Sequence, residues 1–310
     1  MKILLFGKNG QVGWELQRSL APLASSGQLI ALGTDSQTMC GNLTDPTGIQ
    51  QTVQTVKPDI IINAAAYTAV DKAEKESQLA HTINAVAPAV LAQEASRLNA
   101  WLIHYSTDYV FDGSGDQPRT EADVTNPLNV YGETKLAGEK SIIEAGCPHI
   151  ILRTSWVYAA FGNNFIKTIL RLAQERDQLQ IVDDQIGAPT GAELIADVTA
   201  HIVQSLRNQK SNPSVSGLYH LTAQGETSWY GFARFILTQA ASANVVLKTS
   251  PGNLHPIDSA DYPTPAKRPL NSRLNAEKLR QSFHLCLPEW QSGVSRTLTE
   301  ILANQQPAAS

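Results

Sequence analysis

Three evenly spaced glycines follow a short apolar segment at the start of the chain. Ile3–Phe6 has the composition of a buried strand, Gly7, Gly10 and Gly13 form the pattern G-x-x-G-x-x-G, and residues 14–20 have helical apolar spacing. In such a unit the first glycine permits a tight turn, the second lets the backbone approach a pyrophosphate, and the third allows close helix packing. The free N–H groups of the helix start favour phosphate oxygens. We therefore predict a nucleotide-binding turn.

Strand and helix patterns alternate through the first half of the chain. The segment DIIINAAA is a continuous apolar run, which is typical of a strand covered on both faces of a parallel sheet. The alternation predicts an α/β fold with a Rossmann-type doubly wound parallel sheet. The predicted strands are Leu29–Leu32, Asp59–Ala66, Trp101–Ser106 and Ile150–Thr154, and the predicted helices are Ile49–Val56, Leu79–Leu98 and Tyr131–Glu144.

The second half of the chain is less regular. Phe165–Gln174 and Ala192–Leu206 have helical patterns, Gly217–Leu221 has a strand pattern, and the proline-rich stretch Pro251–Pro269 is expected to be an ordered loop. We predict a nucleotide-binding domain over residues 1–155. Residues 156–310 are predicted to form mainly a smaller C-terminal α/β substrate domain, with some segments returning to the first sheet.

Charge and cysteine content limit the partners and the compartment. The 310 residues carry a formal net charge of −4, so a strongly basic face for nucleic acid is not expected. No apolar run approaches the roughly 18 residues of a membrane span. The three cysteines form no CxxC pair or disulfide framework, which favours a reducing compartment. We expect a cytoplasmic protein without nucleic-acid or membrane partners.

The end of the second predicted strand bears on the choice of nicotinamide cofactor. An acidic residue usually stands there and binds the adenosine ribose. This chain has Gly33 instead, with Asp35 two residues later, so we predict that nothing at this point repels a 2′-phosphate. We expect either NADPH or NADH to be accepted, with Lys8 and Thr34 available to a 2′-phosphate.

A tyrosine and a lysine four residues apart are the candidate catalytic pair. Tyr131 and Lys135 form Y-x-x-x-K and would share one helical face. An ammonium about 5 Å from the phenol, at an effective dielectric constant of about 20, would lower the phenol pKa by about two units. Thr107 and Asp108 end a predicted strand, where sheets of this class bind ligands. We predict that Tyr131 donates a proton to a carbonyl oxygen, that Thr107 assists it, and that Asp108 binds hydroxyl groups.

Together these segments resemble the extended short-chain dehydrogenase/reductase family of nucleotide-sugar enzymes. The likeness covers nearly the whole chain, including the segments FGKNGQVGWELQ, NAAAYTAVDKAE, IHYSTDYVFDG, PLNVYGETKLAGEK, RTSWVYA, DQIGAPTGAE and YPTPAKRPLNSRL. The resemblance implies an NAD(P)H-dependent oxidoreductase that reduces the C4 keto group of a dTDP-linked sugar in dTDP-L-rhamnose synthesis, which serves O-antigen and lipopolysaccharide formation.

The resemblance also implies roles for individual residues. Catalysis would use Tyr131, Lys135 and Thr107, and the sugar nucleotide would contact Thr107, Asp108, Tyr131 and Trp156. The resemblance further implies a homodimer with Mg²⁺ near its interface, held by Glu15, Glu193 and Glu300. The implied cofactor contacts are Gly7, Gly10, Gln11, Val12, Gly13, Asn42, Leu43, Ala64, Ala65, Ala66, Tyr131 and Lys135.

Two other functions remain open from the sequence. A related nucleotide-sugar 4-ketoreductase, epimerase or dehydratase would share the fold, although Tyr109 stands where a dehydratase has a glutamate after Thr107-Asp108. A non-catalytic cofactor-binding regulatory subunit, as among the relatives of methionine adenosyltransferase, would also share it. Intact Thr107, Tyr131, Lys135 and Trp156 favour an enzyme.

Overall fold

A computed structural model describes residues 1–24, 27–208 and 215–303. Six of its strands form one sheet, and the remaining six form three two-stranded pairs. In chain order the strands are β1 Ile3–Phe6, β2 Leu29–Leu32, β3 Ile60–Asn63, β4 Trp101–Thr107, β5 His149–Thr154, β6 Val157–Tyr158, β7 Leu179–Val182, β8 Ile186–Gly187, β9 Thr190–Gly191, β10 Gly217–His220, β11 Thr227–Ser228 and β12 Leu254–Ile257.

Helices connect and cover these strands. A π-helical turn at Thr82–Val86 joins two of them. The α-helices are α1 Gln11–Leu20, α2 Pro46–Val56, α3 Val70–Ala73, α4 Ser77–His81, α5 Ala87–Leu98, α6 Val130–Glu144, α7 Phe165–Glu175, α8 Ala192–Asn208, α9 Trp229–Ser242, α10 Glu277–Phe283 and α11 Trp290–Ala303.

The main sheet of the described residues has the strand order β10-β5-β4-β3-β1-β2, and every pairing in it is parallel. The chain runs outward from β1 to β2 and then returns to β3 on the other side of β1. This reversal leaves a crevice beyond the carboxyl ends of β1 and β3, which is where open α/β sheets bind ligands. The predicted Rossmann-type α/β fold is therefore confirmed.

Alternate side chains of each central strand enter two different cores. On β1, Ile3 and Leu5 pack with α1, α8 and α10, whereas Leu4 and Phe6 pack with α2, α5 and α6. All four side chains are fully buried. Burying one such side chain stabilises the fold by roughly 1.5–3 kcal/mol, which explains the unbroken apolar run in a strand covered on both faces.

A third core lies in the second half of the chain. It joins α7, α9, α11 and β7 through side chains that include Phe232, Trp290 and Leu298. The later segment Gly217–His220 nevertheless pairs with β5 in the main sheet. The domain boundary between residues 155 and 156 stays a prediction, and residues 304–310 of the second predicted domain lie outside the described part.

Several predicted elements differ in extent. The strand expected over Asp59–Ala66 ends at Asn63, because the Asn63 side chain accepts a hydrogen bond from the Ala65 N–H and turns the backbone out of the sheet. The helix expected over Leu79–Leu98 is α4, the π-turn and α5. The proline-rich stretch contains β12, whose parallel partner is β7. Among the described residues, none of the helices is both long enough and apolar enough to cross a membrane.

Candidate active site

A cavity of about 700 Å³ opens at the carboxyl ends of β1, β3, β4 and β5. That volume lies within the range usual for ligand sites. Of the predicted cofactor, catalytic and substrate residues, only Gly13 does not line the cavity. The predicted residues that do line it are Gly7, Gly10, Gln11, Val12, Asn42, Leu43, Ala64, Ala65, Ala66, Thr107, Asp108, Tyr131, Lys135 and Trp156.

The three glycines of the first turn meet three different requirements. Gly7 has φ +92°, and a Cβ there would lie 2.6 Å from the Ala65 nitrogen. A Cβ on Gly13 would overlap the Gly7 carbonyl oxygen, so Gly13 allows α1 to pack on the turn without facing the cavity. Gly10 precedes α1 without a side-chain cap, which leaves the first N–H groups of the helix open to a ligand. This arrangement suits a dinucleotide pyrophosphate.

The end of β2 does carry a nearby carboxylate, contrary to the sequence-based expectation. The chain turns so that a Cβ on Gly33 would lie 2.8 Å from an Asp35 carboxylate oxygen. Asp35 accepts a hydrogen bond of 2.9 Å from Asn9 and lies 3.5 Å from the Lys8 ammonium. The hydrogen bond from Asn9 and the Lys8 charge lower the Asp35 pKa. Lys8 and Asp35 therefore form an ion pair at this end of the cavity.

Tyr131 is held in the first turn of α6. The Asn129 side chain caps this helix by accepting a 2.9 Å hydrogen bond from the Gly132 N–H, and it also donates to the Lys267 carbonyl. A Cβ on Gly132 would overlap the Tyr109 carbonyl oxygen, so the glycine allows α6 to approach β4 closely. Helix start and strand end thus bring Tyr131 and Thr107 together.

Burial, rather than Lys135, dominates the ionisation of Tyr131. Desolvation raises the pKa of Tyr131 to about 12, with the Thr107 hydroxyl opposing the rise and the Asp108 charge adding to it. The expected lowering by Lys135 is therefore wrong for this structure. The Lys135 ammonium nitrogen instead contacts the Tyr105 carbonyl at 2.6 Å and His104 Nε2 at 3.2 Å. Tyr131 stays protonated at neutral pH, as a proton donor requires.

Asp108 is a buried carboxyl group with unused hydrogen-bonding capacity. Its Oδ1 accepts a 3.1 Å hydrogen bond from the Thr107 hydroxyl, whereas its buried Oδ2 has no hydrogen-bond partner among the described residues. Desolvation raises the pKa of Asp108 to about 6, although the Ser272 and Thr107 hydroxyls oppose this. A buried acceptor without a partner is costly, so the site is prepared for a donor such as a sugar hydroxyl.

Trp156 has a backbone conformation that few tryptophans adopt. Its φ is +49°, and its indole stacks on Trp229 with ring centroids 3.7 Å apart. Trp229 is anchored by a 3.2 Å hydrogen bond from its indole nitrogen to Gln185. Gly187 leaves room for the stack, since a Cβ there would lie 2.7 Å from the Trp156 ring. The stacked pair forms an aromatic wall opposite the cofactor turn.

The three predicted magnesium ligands do not form a metal site within one copy of the chain. Glu15 pairs with Arg18 at 3.0 Å, and Glu300 pairs with Arg296 at 3.5 Å. Desolvation raises the pKa of Glu193, and the nearby charges of Glu300 and Glu15 add to it. Over residues 1–24, 27–208 and 215–303, no group of three or more His, Cys, Asp or Glu side chains is placed to hold a metal ion.

Other cavity residues were not predicted from the sequence. Trp229 and Tyr109 both line the cavity, and neither was identified as a ligand-binding residue from the sequence. Trp229 enters the wall from a different part of the chain, so no local pattern reveals it. Further lining residues are Asn9, Gly41, Thr68, Val70, Ile83, Tyr105, Ser106, Thr154, Ser155 and Val157.

The glycine turn, the doubly wound sheet and the Thr107/Tyr131/Lys135 group define the class of a nicotinamide-dependent oxidoreductase, and comparisons with known proteins agree. The profile of the family "RmlD substrate binding domain" matches residues 1–303. A dTDP-4-dehydrorhamnose reductase of Escherichia coli (strain K12) is 56% identical over 97% of this chain and 98% of its own length. A dTDP-4-dehydrorhamnose reductase from Burkholderia thailandensis is 44% identical over 98% of this chain and 100% of its own length.

A solved structure extends the likeness to three dimensions. A crystal structure of dTDP-4-dehydrorhamnose reductase from Bacillus anthracis, in complex with NADP, has a TM-score of 0.83 and 35% identity, and the match covers 97% of this chain and 100% of that one. The chain belongs to the RmlD substrate binding domain family. The resemblance noted from the sequence is therefore confirmed.

Proposed function

We propose that this chain reduces the C4 keto group of dTDP-4-dehydro-L-rhamnose to give dTDP-L-rhamnose, the last step of dTDP-rhamnose biosynthesis. One observation supports this above the others. Tyr131, Thr107 and the unpartnered Asp108 carboxylate oxygen line one cavity together with the glycine turn, in a chain 56% identical to a reductase of that name. Proton donor, hydroxyl-binding group and cofactor turn thus share one space.

The reaction adds two hydrogens to the keto group. A nicotinamide cofactor held by the glycine turn would supply the hydride to the C4 carbon. Tyr131 gives its phenolic proton to the carbonyl oxygen, and the Thr107 hydroxyl, which donates to Asp108 Oδ1 in the free protein, would turn to donate to this oxygen. Asp108 Oδ2 accepts a hydrogen bond from a sugar hydroxyl and so fixes the position of the ring. The stacked Trp156 and Trp229 exclude water from the sugar side of the cavity.

NADPH and NADH are both proposed as cofactors. The open start of α1 suits the pyrophosphate of either. At the end of β2, the Lys8 ammonium favours a 2′-phosphate, while the Asp35 carboxylate beside it favours a 2′-hydroxyl. Because the two charges lie together, neither cofactor is strongly excluded. The NADP bound to the Bacillus anthracis reductase supports the phosphorylated form.

Turnover with an identified product tests the function. We expect dTDP-4-dehydro-L-rhamnose to oxidise NADPH and to yield dTDP-L-rhamnose by NMR. Tyr131→Phe should lower kcat by about 10²- to 10⁴-fold, because the proton donor is lost. Tyr219→Phe is the matched control, since that buried phenol donates to the Val215 carbonyl at the edge of the sheet. Equal activity of the two variants would contradict the assignment.

The same assay separates the remaining alternatives. An L-talose product would make this chain a sister 4-ketoreductase with the opposite face selectivity. Turnover without net NADPH oxidation would indicate an epimerase, which regenerates its cofactor. Binding of NADPH without any turnover would indicate a regulatory subunit.

The quaternary structure and the metal are two further proposals. We propose a cytoplasmic homodimer in which Glu15, Glu193 and Glu300 bind Mg²⁺ only when a second copy contributes to the site. Desolvation is the main cause of the raised Glu193 pKa; Arg296 opposes the rise, whereas Glu300 and Glu15 add to it, so a cation there would stabilise the carboxylates. Light scattering with EDTA and then with Mg²⁺ tests both proposals. A metal-independent monomer would refute both proposals. O-antigen synthesis is the biological role that we propose for this protein.

A further inference from the structure

A continuous hydrogen-bonded chain of buried groups connects the end of β3 to Lys135. The Ala65 N–H donates to Asn63 Oδ1 at 3.2 Å, and Asn63 Nδ2 lies 3.1 Å from His104 Nδ1. His104 Nε2 lies 3.2 Å from the Lys135 ammonium nitrogen. Asn63, His104 and Lys135 are each at most 2% exposed, so water has little access to these groups in the free protein.

The backbone settles the direction of each hydrogen bond. A backbone N–H is always a donor, so the Asn63 atom facing Ala65 must be the oxygen. The other Asn63 atom is then the amide nitrogen, which can only donate, and His104 Nδ1 must accept from it. A neutral imidazole that accepts at Nδ1 carries its proton on Nε2. Burial keeps His104 in that neutral form by holding its pKa well below the ordinary value.

The proton on His104 Nε2 determines which protonation state of Lys135 fits this hydrogen-bonded chain. The His104 Nε2–H points at the Lys135 nitrogen, and an ammonium group has no lone pair with which to accept it. A neutral amine can accept from His104 while donating to the Tyr105 carbonyl at 2.6 Å. We propose that Asn63 and His104 are positioning residues that hold Lys135 in place and favour its neutral amine in the free protein.

Other groups around Lys135 either favour its ammonium form or have no effect on its protonation. Glu139, one turn later on α6, favours the ammonium, but this carboxylate is already shared by Arg153 and Ser106. The Tyr105 phenol points away and bonds Thr199. Tyr131, one turn earlier on α6, is uncharged at neutral pH. Burial, partly offset by Glu139, brings the Lys135 pKa to about 8, which agrees with an amine that titrates near neutral pH.

The catalytic role of this hydrogen-bonded chain of residues rests on the proposed reductase function. Each reduction removes one proton from Tyr131, so the site must recover one from solvent in every turnover. A lysine that gains and loses a proton near neutral pH can take part in this recovery, whereas a permanently charged lysine cannot. The ammonium form stabilises the developing phenolate, so kcat/KM should fall as pH rises through the Lys135 pKa.

Two variants change which groups donate and which accept in the hydrogen bonds that lead to Lys135. In Asn63→Asp, a carboxylate would accept from both Ala65 and His104, so His104 would carry its proton on Nδ1 and present a lone pair to Lys135. In His104→Gln, the side-chain oxygen can face Lys135 without adding charge. Both variants should raise the Lys135 titration midpoint by about one pH unit and move the basic limb of kcat/KM to higher pH. Asn271→Asp, which adds a buried carboxylate elsewhere, is the matched control.

NMR of the free wild-type protein gives the deciding measurement. With ¹⁵N-histidine, His104 should show the proton on Nε2, its signals being identified by their loss in His104→Gln. With ¹³Cε-lysine, the Lys135 midpoint should lie near 8 in the wild type and rise in both variants but not in Asn271→Asp. A proton on Nδ1, or an unchanged midpoint in His104→Gln, would overturn the proposal. These readings need no substrate, so their failure leaves the reductase assignment intact, and absent turnover leaves the hydrogen-bonded chain intact.

Discussion

The glycine turn presents main-chain atoms to the cavity, whereas the aromatic wall is built from side chains of distant segments. Around the glycine turn, Gly7 and Gly13 allow backbone atoms to approach closely, and N–H groups face the ligand. On the other side, the side chain of Trp156 stacks on that of Trp229, which belongs to a distant part of the chain. Main-chain N–H groups suit the pyrophosphate common to related dinucleotides, whereas side chains from distant segments can distinguish one sugar nucleotide from another.

The strongest test of this contrast is at Gly13. A Cβ there would overlap the Gly7 carbonyl, so Gly13→Ala should lower the free energy of unfolding by about 3 kcal/mol and weaken NADPH binding more than tenfold. Gly10→Ala is the control for stability alone, because its Cβ would lie 3.5 Å from the nearest atom, that same carbonyl oxygen, and would face the expected pyrophosphate. Chemical denaturation and calorimetric titration measure both effects. Equal stability of the two variants would show that α1 and the turn can shift to accommodate a Cβ at Gly13.

The next test uses the buried carboxyl of Asp108. Its pKa is raised from 3.8 to about 6, so between these values the folded protein binds more protons than the unfolded chain. Stability contributed by this group is therefore present below about pH 4 and is lost as pH rises through 6, by at most about 3 kcal/mol.

Asp108→Asn removes that titration. The variant should be more stable than the wild type at pH 7, and the difference should shrink toward pH 4. Its kcat/KM for the sugar nucleotide should fall by about tenfold or more, because the acceptor is lost. Thermal unfolding across pH measures the first effect and steady-state kinetics the second. A variant that is less stable at pH 7 would contradict the burial argument.

A smaller effect is expected on the aromatic wall. Gly187→Ala would bring a Cβ within 2.7 Å of the Trp156 ring and displace it from Trp229. We expect KM for the sugar nucleotide to rise by about tenfold while the Kd for NADPH stays unchanged. Gly191→Ala is the control, since its nearest atom would be at 3.4 Å. A change in NADPH affinity would break the separation between the two sides of the cavity.

The smallest effect concerns cofactor choice. Asp35→Ala leaves Lys8 unpaired and removes a negative charge near the expected 2′-phosphate, so the preference for NADPH over NADH should rise by a few fold. Lys8→Ala should shift the preference the other way. Ratios of kcat/KM at several salt concentrations measure both, and both shifts should shrink as salt screens the charges. Shifts in the same direction would rule out the ion pair as the determinant.

Local patterns predicted the elements whose information is contiguous. Strand β1, the glycine turn and α1 follow one another directly, so steric and hydrogen-bonding rules identify them without tertiary context. Tyr131 and Lys135 are equally local, because one helical turn places them on one face. The strand predicted through Ala66 was too long, because only the fold reveals that the Asn63 side chain captures the Ala65 N–H.

Sequence alone determined the doubly wound fold, the nucleotide turn and the Tyr131/Lys135 pair, since each depends on neighbours within a few residues. Tertiary structure decided which charges are buried and where they point. The sequence-based expectation had Lys135 lowering the Tyr131 pKa, but desolvation dominates, and Lys135 faces His104 and the Tyr105 carbonyl. Likewise, only the folded chain brings Trp229 against Trp156. Desolvation and long-range contacts depend on packing, which no local spacing encodes.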